Sequence, residues 1–137
     1  ISDISLKTKL EIGRLSVSKI LSFINSNAIC KGEVNLLDDF PVLDFDCSLI
    51  SPDKRKFLKK LDISYKTKNE PFNLSVSGKL NILKKKVNFD YIKMSNYEAS
   101  AQDLKYYKNI FENSFFEKNS IINFNLENIK KFILEIS

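Results

Sequence analysis

Few side chains in this 137-residue sequence could do covalent chemistry. Histidine is absent, which removes imidazole acid–base catalysis, Ser-His and Cys-His nucleophile pairs, and His-ligated metals. With only three glycines, a glycine-rich phosphate loop is excluded as well. Ser16 and Lys19 match the bare S-x-x-K pattern of serine acyl enzymes, but the companion S-D-N and K-T-G motifs are missing. We therefore predict that the protein is not an enzyme and uses no cofactor.

The two cysteines, Cys30 and Cys47, are too few for a disulfide scaffold or a thiolate zinc site. They lie at equal distances from the Asp38-Asp39 turn, so a tight hairpin centred there places them opposite each other on neighbouring strands. In an oxidising compartment such a pair can form a disulfide. Two buried free thiols are the alternative, because directly opposed positions often give strained geometry and a bulge would shift the register.

Acidic residues gather around the same turn. Asp38, Asp39, Asp44 and Asp46 would collect near one end of the hairpin, where carboxylates can hold a hard cation. However, Asp44 and Asp46 alternate with apolar neighbours, which is typical of an exposed strand face, and the spacing fits a calcium loop poorly. We predict no metal site.

Basic residues form two short runs, 54–60 and 84–86, which contain Lys54, Arg55, Lys56, Lys59 and Lys60, and Lys84, Lys85 and Lys86, respectively. Either run could meet anionic headgroups or phosphates, although solvated turns that protect sheet edges are the simpler interpretation. The chain has 22 basic and 17 acidic residues, a net charge of +5, and the two signs are mixed throughout. Nucleic-acid binding favours a one-sided basic surface with stacking aromatics, so we predict no nucleic-acid partner.

Apolar and polar residues alternate over much of the chain, which is the pattern of strands with one apolar face. The turns between them are short, and short links favour antiparallel pairing because parallel strands need long crossovers. We predict about six strands in an antiparallel meander. They lie near residues 4–12, 28–36, 43–49, 61–67, 72–82 and 87–91.

The alternation breaks in three places where we predict helices or a turn. Residues 18–24 form a short helix capped by Ser18, and Asp103 caps an amphipathic helix over about 103–116. A last short strand follows, and Asn128 caps a closing turn or helix. That strand contains Ile122, Phe124 and Leu126, and the closing element contains Ile129, Phe132, Ile133 and Ile136. No short repeat or linker appears, so residues 1–137 form one domain in this interpretation.

The predicted strands present more apolar side chains than these helices can cover. The remaining surface must close on itself as a barrel or sandwich, meet a neighbouring segment of a longer chain, or hold an apolar ligand. The longest uncharged stretch, 20–30, is too short and too polar to span a bilayer. Because the chain starts at Ile1 without a leader, we expect it to be a piece of a longer protein or a processed product.

Three segments resemble the AsmA-like family of bridge-like envelope proteins (AsmA, YhdP and TamB type). Residues 13–24 with 31–36 are similar to its strand–turn–strand unit, which opens on a glycine, and residues 74–82 with 87–89 resemble its one-sided hairpins. The tail, 96–136, is similar to the C-terminal end of such proteins. The likeness covers most of the chain and rests on composition more than on fixed motifs.

The resemblance implies a C-terminal segment of a periplasmic protein, with the parent chain anchored in the inner membrane of a Gram-negative bacterium. Its fold would be mainly β with minor α: a meander of one-sided strands forming a curved, groove-like sheet, covered in part by the 103–116 helix and by short helices. The implied function is phospholipid transport and outer-membrane assembly, with acyl chains shielded in the apolar groove. Phospholipid and neighbouring segments of the same protein are the implied partners.

Twelve apolar strand residues are candidates for lining this groove. The alternative is that they form a closed core in a structural or protein-interaction domain that has no ligand. The candidates are Leu6, Leu10, Phe45, Leu49, Ile63, Tyr65, Leu74, Val76, Leu80, Ile82, Phe89 and Tyr91.

Overall fold

Long one-sided strands joined by short turns fold into one antiparallel meander, as the alternation predicts. The computed structural model describes residues 3–23, 25–60, 62–64, 66, 68–116 and 126–136. Within these residues, seven strands follow one another across a single sheet in chain order, with β1 and β7 at its two edges, and three helices accompany them. The elements are β1 Asp3–Glu11, β2 Arg14–Phe23, β3 Ser26–Asn35, β4 Val42–Ser51, α1 Lys54–Lys60, β5 Phe72–Asn81, β6 Lys86–Met94, β7 Tyr97–Glu98, α2 Ala101–Phe115 and α3 Leu126–Ile136.

The helix predicted over residues 18–24 is wrong for residues 18–23, which belong to strand β2, and residue 24 lies outside the described residues. β2 pairs along its whole length with both β1 and β3. Lys19 interrupts the apolar alternation of Leu15 and Val17, so the sequence pattern does not predict the strand. The two neighbouring strands satisfy the backbone of β2 from both sides, and this tertiary pairing overrides the weak local pattern.

The strand predicted over residues 61–67 is also wrong in its described part. Residues 62–64 and 66 form no strand, and the helix α1 precedes them. The Asp53 carboxylate accepts a hydrogen bond from the Lys56 backbone N–H at 2.8 Å, which satisfies an unpaired donor in the first turn. The helix ends where the Ile63 N–H donates to the Leu58 carbonyl at 2.9 Å, across Asp62 at a positive φ of 58°.

A β-bulge interrupts the β5–β6 pairing between Ser77 and Gly78. At Gly78 the strands approach so closely that an added Cβ would lie 2.4 Å from the Asn88 carbonyl oxygen. The extra residue on β6 moves the side chains that follow it to the other face of the sheet. Phe89 therefore lies on the same face as Gly78, whereas Tyr91 pairs with Ser77 on the opposite face.

The amphipathic helix predicted over 103–116 is present as α2, but Ser100 rather than Asp103 is its N-cap. The Ser100 hydroxyl accepts the Asp103 N–H, and the Asp103 carboxylate accepts the Ser100 N–H at 3.0 Å, which completes a capping box. The Tyr97 hydroxyl donates to the same carboxylate at 2.7 Å. This bond raises the pKa of Tyr97 to about 12 and lowers the pKa of Asp103.

The closing helix is present as α3. It begins at Leu126, two residues before the predicted cap, so Asn128 lies inside the helix, where it is buried. Leu126 is therefore helical and not part of a strand. The other two residues of the predicted last strand, Ile122 and Phe124, lie outside the described residues.

Candidate functional site

The register of the sheet sorts its side chains onto two faces, because cross-strand partners share a face and successive residues alternate. One face, here called the apolar face, carries the row Leu10, Leu15, Val34, Leu43 and Leu80 and the parallel rows on either side of it. The other face, the polar face, carries mainly serines, lysines, aspartates and asparagines.

The helices cover the apolar face over strands β4 to β6. One buried cluster joins β4 and β5 to α1, with Ala28, Met94 and Ile133 packed around it. A second joins β5 and β6, with Leu104, Tyr107 and Phe132 from α2 and α3 packed against it. The clusters are Leu49, Phe57, Leu58, Ile63 and Phe72, and Val76, Ile92 and Ala99.

Aromatic rings complete this cover. The Phe132 ring of α3 stacks on Phe89 of β6 at 6.0 Å between centroids, and it meets the Phe111 ring of α2 edge-on at 5.4 Å. Phe115, also on α2, is fully buried and stacks on Phe111 at 4.4 Å. Such contacts add to the area that the rings bury, so this half of the sheet has a sealed core.

The same apolar face is open over strands β1 to β3. Leu6 is 62% exposed and Leu10 is 64% exposed, and Ile4 on the same strand is exposed too. Leu15 and Val17 of β2 are half-buried. The sequence predicts more apolar side chains on the strands than the helices can cover, and the uncovered ones lie here, beside the sealed core. We call this surface the open shelf (Ile4, Leu6, Leu10, Leu15, Val17, Val34).

The twelve groove candidates divide between these environments. Leu49, Ile63, Val76 and Leu80 are buried in the sealed core, and Phe45, Leu74 and Phe89 are half-buried beside it. Only Leu6 and Leu10 lie on the open shelf. Ile82 is exposed in the turn after β5, and Tyr65 lies outside the described residues.

The prediction that Tyr91 lies on the apolar face is wrong, because the bulge places Tyr91 on the polar face. There its hydroxyl donates to the Asp46 carboxylate at 2.9 Å, and this hydrogen bond raises the pKa of the Tyr91 phenol. The missed shelf residues Ile4, Leu15, Val17 and Val34 belong to the same alternating pattern as the candidates. Alternation gives their face but does not say which rows a helix leaves uncovered.

A trough of about 1040 Å³ crosses strands β1 to β6. Its lining includes side chains that are neighbours on the polar face of one strand, such as Lys7 and Lys9 on β1 or Ser16 and Ser18 on β2. We therefore assign the trough to the polar face. Charged and hydroxyl-bearing side chains therefore surround this space. The lining also includes Leu6, Val17 and Phe45. The aliphatic surface that no helix covers is the open shelf on the other side.

A disulfide joins Cys30 to Cys47, whose Cα atoms lie 4.1 Å apart. The two residues are direct cross-strand partners, which is the register that the symmetric spacing around Asp38-Asp39 predicts. Of the two states that the sequence leaves open, the structure has the bonded one. The bond links β3, at the border of the open shelf, to β4 in the sealed half.

The other residues that could take part in catalysis or metal binding do not come together in one site. Ser16 lies on the polar face and Lys19 on the apolar face, so the S-x-x-K pattern brings no lysine to the serine. Among the described residues, no group of carboxylates and thiols is arranged to hold a metal ion. Lys54 of the first basic run is buried, with its Nζ 3.5 Å from the Glu70 carboxylate, so this residue is structural. The prediction that the protein is not an enzyme stays untested.

No protein-family model, curated protein or solved structure matches this chain. The likeness to the AsmA-like family therefore stays a prediction from the sequence. Within the described part of the chain, no helix combines the length and the apolar character needed to cross a bilayer.

Proposed function

We propose that this chain binds lipid acyl chains without covalent chemistry, on the open shelf. The observation that carries the proposal is the exposure of Leu6 and Leu10, each more than half accessible, on a sheet face that helices cover only over β4 to β6. An apolar surface of this kind costs free energy in water, and a soluble domain keeps it only where something covers it.

Acyl chains suit such a surface because their binding needs no directional groups. Each buried CH₂ contributes about 0.8 kcal/mol, so a chain lying along the shelf gains affinity from length alone. The named side chains of the shelf are aliphatic, and its polar neighbours on the same face are Thr8 and Lys19, which lies opposite Leu6. The Lys19 ammonium can meet the phosphate that phospholipid headgroups share, so it does not select one headgroup. Low headgroup selectivity is therefore the expected behaviour, with phospholipid as the ligand class.

We place this activity in the periplasm, in a segment of an AsmA-like protein that is anchored in the inner membrane of a Gram-negative bacterium and acts in phospholipid transport and outer-membrane assembly. The Cys30–Cys47 disulfide supports an oxidising compartment, because thiols in the bacterial cytosol are kept reduced. The open shelf supports a role in which further one-sided strands of the parent chain extend the surface.

A structural or protein-interaction domain is the second candidate. It is supported by the sealed core under β4 to β6, in which four of the groove candidates are buried. In that role the open shelf and the edge strand β1 would dock on a neighbouring segment of the same protein, with main-chain pairing along β1.

Native mass spectrometry after gentle purification separates the two candidates. Lipid binding predicts co-purifying phospholipid, and it predicts that a Leu6→Ser/Leu10→Ser variant binds a fluorescent fatty acid about tenfold more weakly or worse. A Lys7→Thr/Lys9→Thr variant is the matched control, since it changes the same strand on the opposite face. A clean apo mass together with no fatty-acid binding would leave the interaction domain as the function.

A further inference from the structure

Exposed apolar side chains are concentrated at one end of the sheet, in the turns that join β1 to β2, β3 to β4 and β5 to β6. Ile12 is 97% exposed, Leu37 is 72%, Leu83 is 68% and Phe40 is 62%. Leu36 and Ile82, in the same turns, are exposed as well. We call this surface the apolar end (Ile12, Leu36, Leu37, Phe40, Ile82, Leu83). It adjoins the open shelf at the row Leu10, Leu15 and Val34 but shares no residue with it, and it includes only one groove candidate, Ile82.

Ile12 occupies a position that disfavours its residue type. The β1–β2 turn has two residues, Ile12 and Gly13, with φ values of 45° and 76°. Two-residue turns with both φ values positive strongly favour Asn-Gly, and a β-branched residue is strained there. No packing contact offsets the backbone strain at Ile12, because its side chain is almost fully exposed to solvent. A local conflict without a compensating contact in the fold points to function.

The three turns form one fixed surface. The Leu36 N–H donates to the Gly13 carbonyl at 2.7 Å, and the Leu37 side chain lies so close to Gly13 that an added Cβ would meet it at 2.4 Å. On the other side, Lys84 Nζ lies 5.2 Å from the centroid of the Phe40 ring. The apolar tips are therefore held next to one another.

We propose that the apolar end docks on a phospholipid bilayer, with its tips inserted below the headgroups. Each tip is a narrow, protruding turn. A folded partner would need a matching pocket for each one, whereas a fluid bilayer adapts to any such shape.

The charges of the apolar end fit the interfacial region of a bilayer. Lys84 and Lys85 follow Leu83 directly, so their ammonium groups can reach headgroup phosphates while the apolar tips insert, whereas Lys86 pairs with the Glu112 carboxylate at 3.1 Å. Arg14, which pairs with Glu33, adds a third positive charge, and the acidic residues Glu11, Asp38 and Asp39 offset the total. Apolar insertion therefore dominates, and we expect binding to zwitterionic vesicles that depends little on salt.

Flotation with phosphatidylcholine vesicles tests the proposal. The wild-type chain should float with the vesicles at both low and high salt. An Ile12→Asn/Leu83→Ser variant should partition at least about tenfold more weakly, since it loses two inserted side chains. Ile12→Asn installs the residue that the turn prefers, so unfolding in urea should show that stability is kept or raised.

The matched control is Ile50→Thr, which removes an exposed apolar side chain from the opposite end of the sheet and should bind vesicles like the wild type. Unchanged flotation of the Ile12→Asn/Leu83→Ser variant, or wild-type binding only to anionic vesicles at low salt, would overturn the proposal. The Leu6→Ser/Leu10→Ser variant should still float, so that failure of acyl-chain binding and failure of bilayer docking can be told apart.

Discussion

At the scale of single residues, the Cys30–Cys47 disulfide is the strongest local constraint in the chain. It closes a loop with a sequence separation of 17 residues and crosses from the open to the sealed half of the apolar face. A cross-link restricts the unfolded chain, so its loss favours unfolding whatever contacts the folded state keeps.

We expect reduction of this disulfide to lower the free energy of unfolding by up to about 3 kcal/mol. Cys30 is exposed, so dithiothreitol should reach the bond in the folded protein. The measurement is urea unfolding with and without reductant. A Cys30→Ser/Cys47→Ser variant serves as the control, because its midpoint should not respond to reductant. Equal midpoints for oxidised and reduced wild-type protein would contradict the expectation.

At the scale of elements, Glu112 fastens helix α2 to strand β6. Its carboxylate accepts the Val87 backbone N–H at 2.9 Å, and it also pairs with Lys108 at 3.0 Å and Lys86 at 3.1 Å. Burial by itself would raise the pKa of Glu112, but these three donors outweigh burial and lower the pKa below its ordinary value of 4.5.

This attachment predicts a pH dependence of stability. The lowered pKa means that the stabilisation from Glu112 is complete above about pH 4.5 and is lost as the pH falls through the folded-state pKa. At neutral pH, Glu112→Gln should lower the free energy of unfolding by about 1 kcal/mol, because an amide loses the charge-assisted bonds. The difference between wild type and variant should shrink toward about pH 3, measured by urea unfolding across this range.

A difference that stays constant with pH would show that the carboxylate charge of Glu112 does not stabilise the attachment. Lys105→Gln provides a matched control on the same helix, since Lys105 is exposed and its substitution should leave the acid limb of the stability profile unchanged.

At the scale of the whole molecule, the sealed and open halves should differ in local stability. Buried clusters stabilise β4 to β6, whereas the apolar side chains of β1 remain largely in solvent. Segments with few buried apolar contacts open more readily than the core. The sheet is continuous in hydrogen bonding but is supported by a core on one side only.

Amide hydrogen exchange followed by mass spectrometry should therefore show β4, β5 and β6 as the slowest peptides and β1 as the fastest strand of the sheet. Acyl-chain binding on the open shelf should slow exchange in β1 and β2 selectively. Uniform protection across all seven strands would contradict the division into two halves.

The sequence by itself determines the one-sided strands, the antiparallel meander and the Cys30–Cys47 register. These depend on period-two alternation and short turns, which are written over a few neighbouring residues. Helix α2 is likewise visible, although its capping box shifts the start from Asp103 to Ser100. The apolar end could have been found from apolar residues in the predicted turns, such as Leu37 and Leu83. The alternation of the strands does not predict it, because these residues lie outside the strands.

Only the tertiary structure decides that residues 18–23 extend β2, that residues 62–64 and 66 after α1 form no strand, and that a bulge moves Tyr91 to the polar face. It also decides which rows of the apolar face the helices cover, so that Leu49 is core while Leu6 is surface. These outcomes depend on contacts between residues far apart in the chain. The way the helices pack against the sheet decides which rows of apolar side chains are covered. The local alternation of apolar and polar residues does not specify that packing.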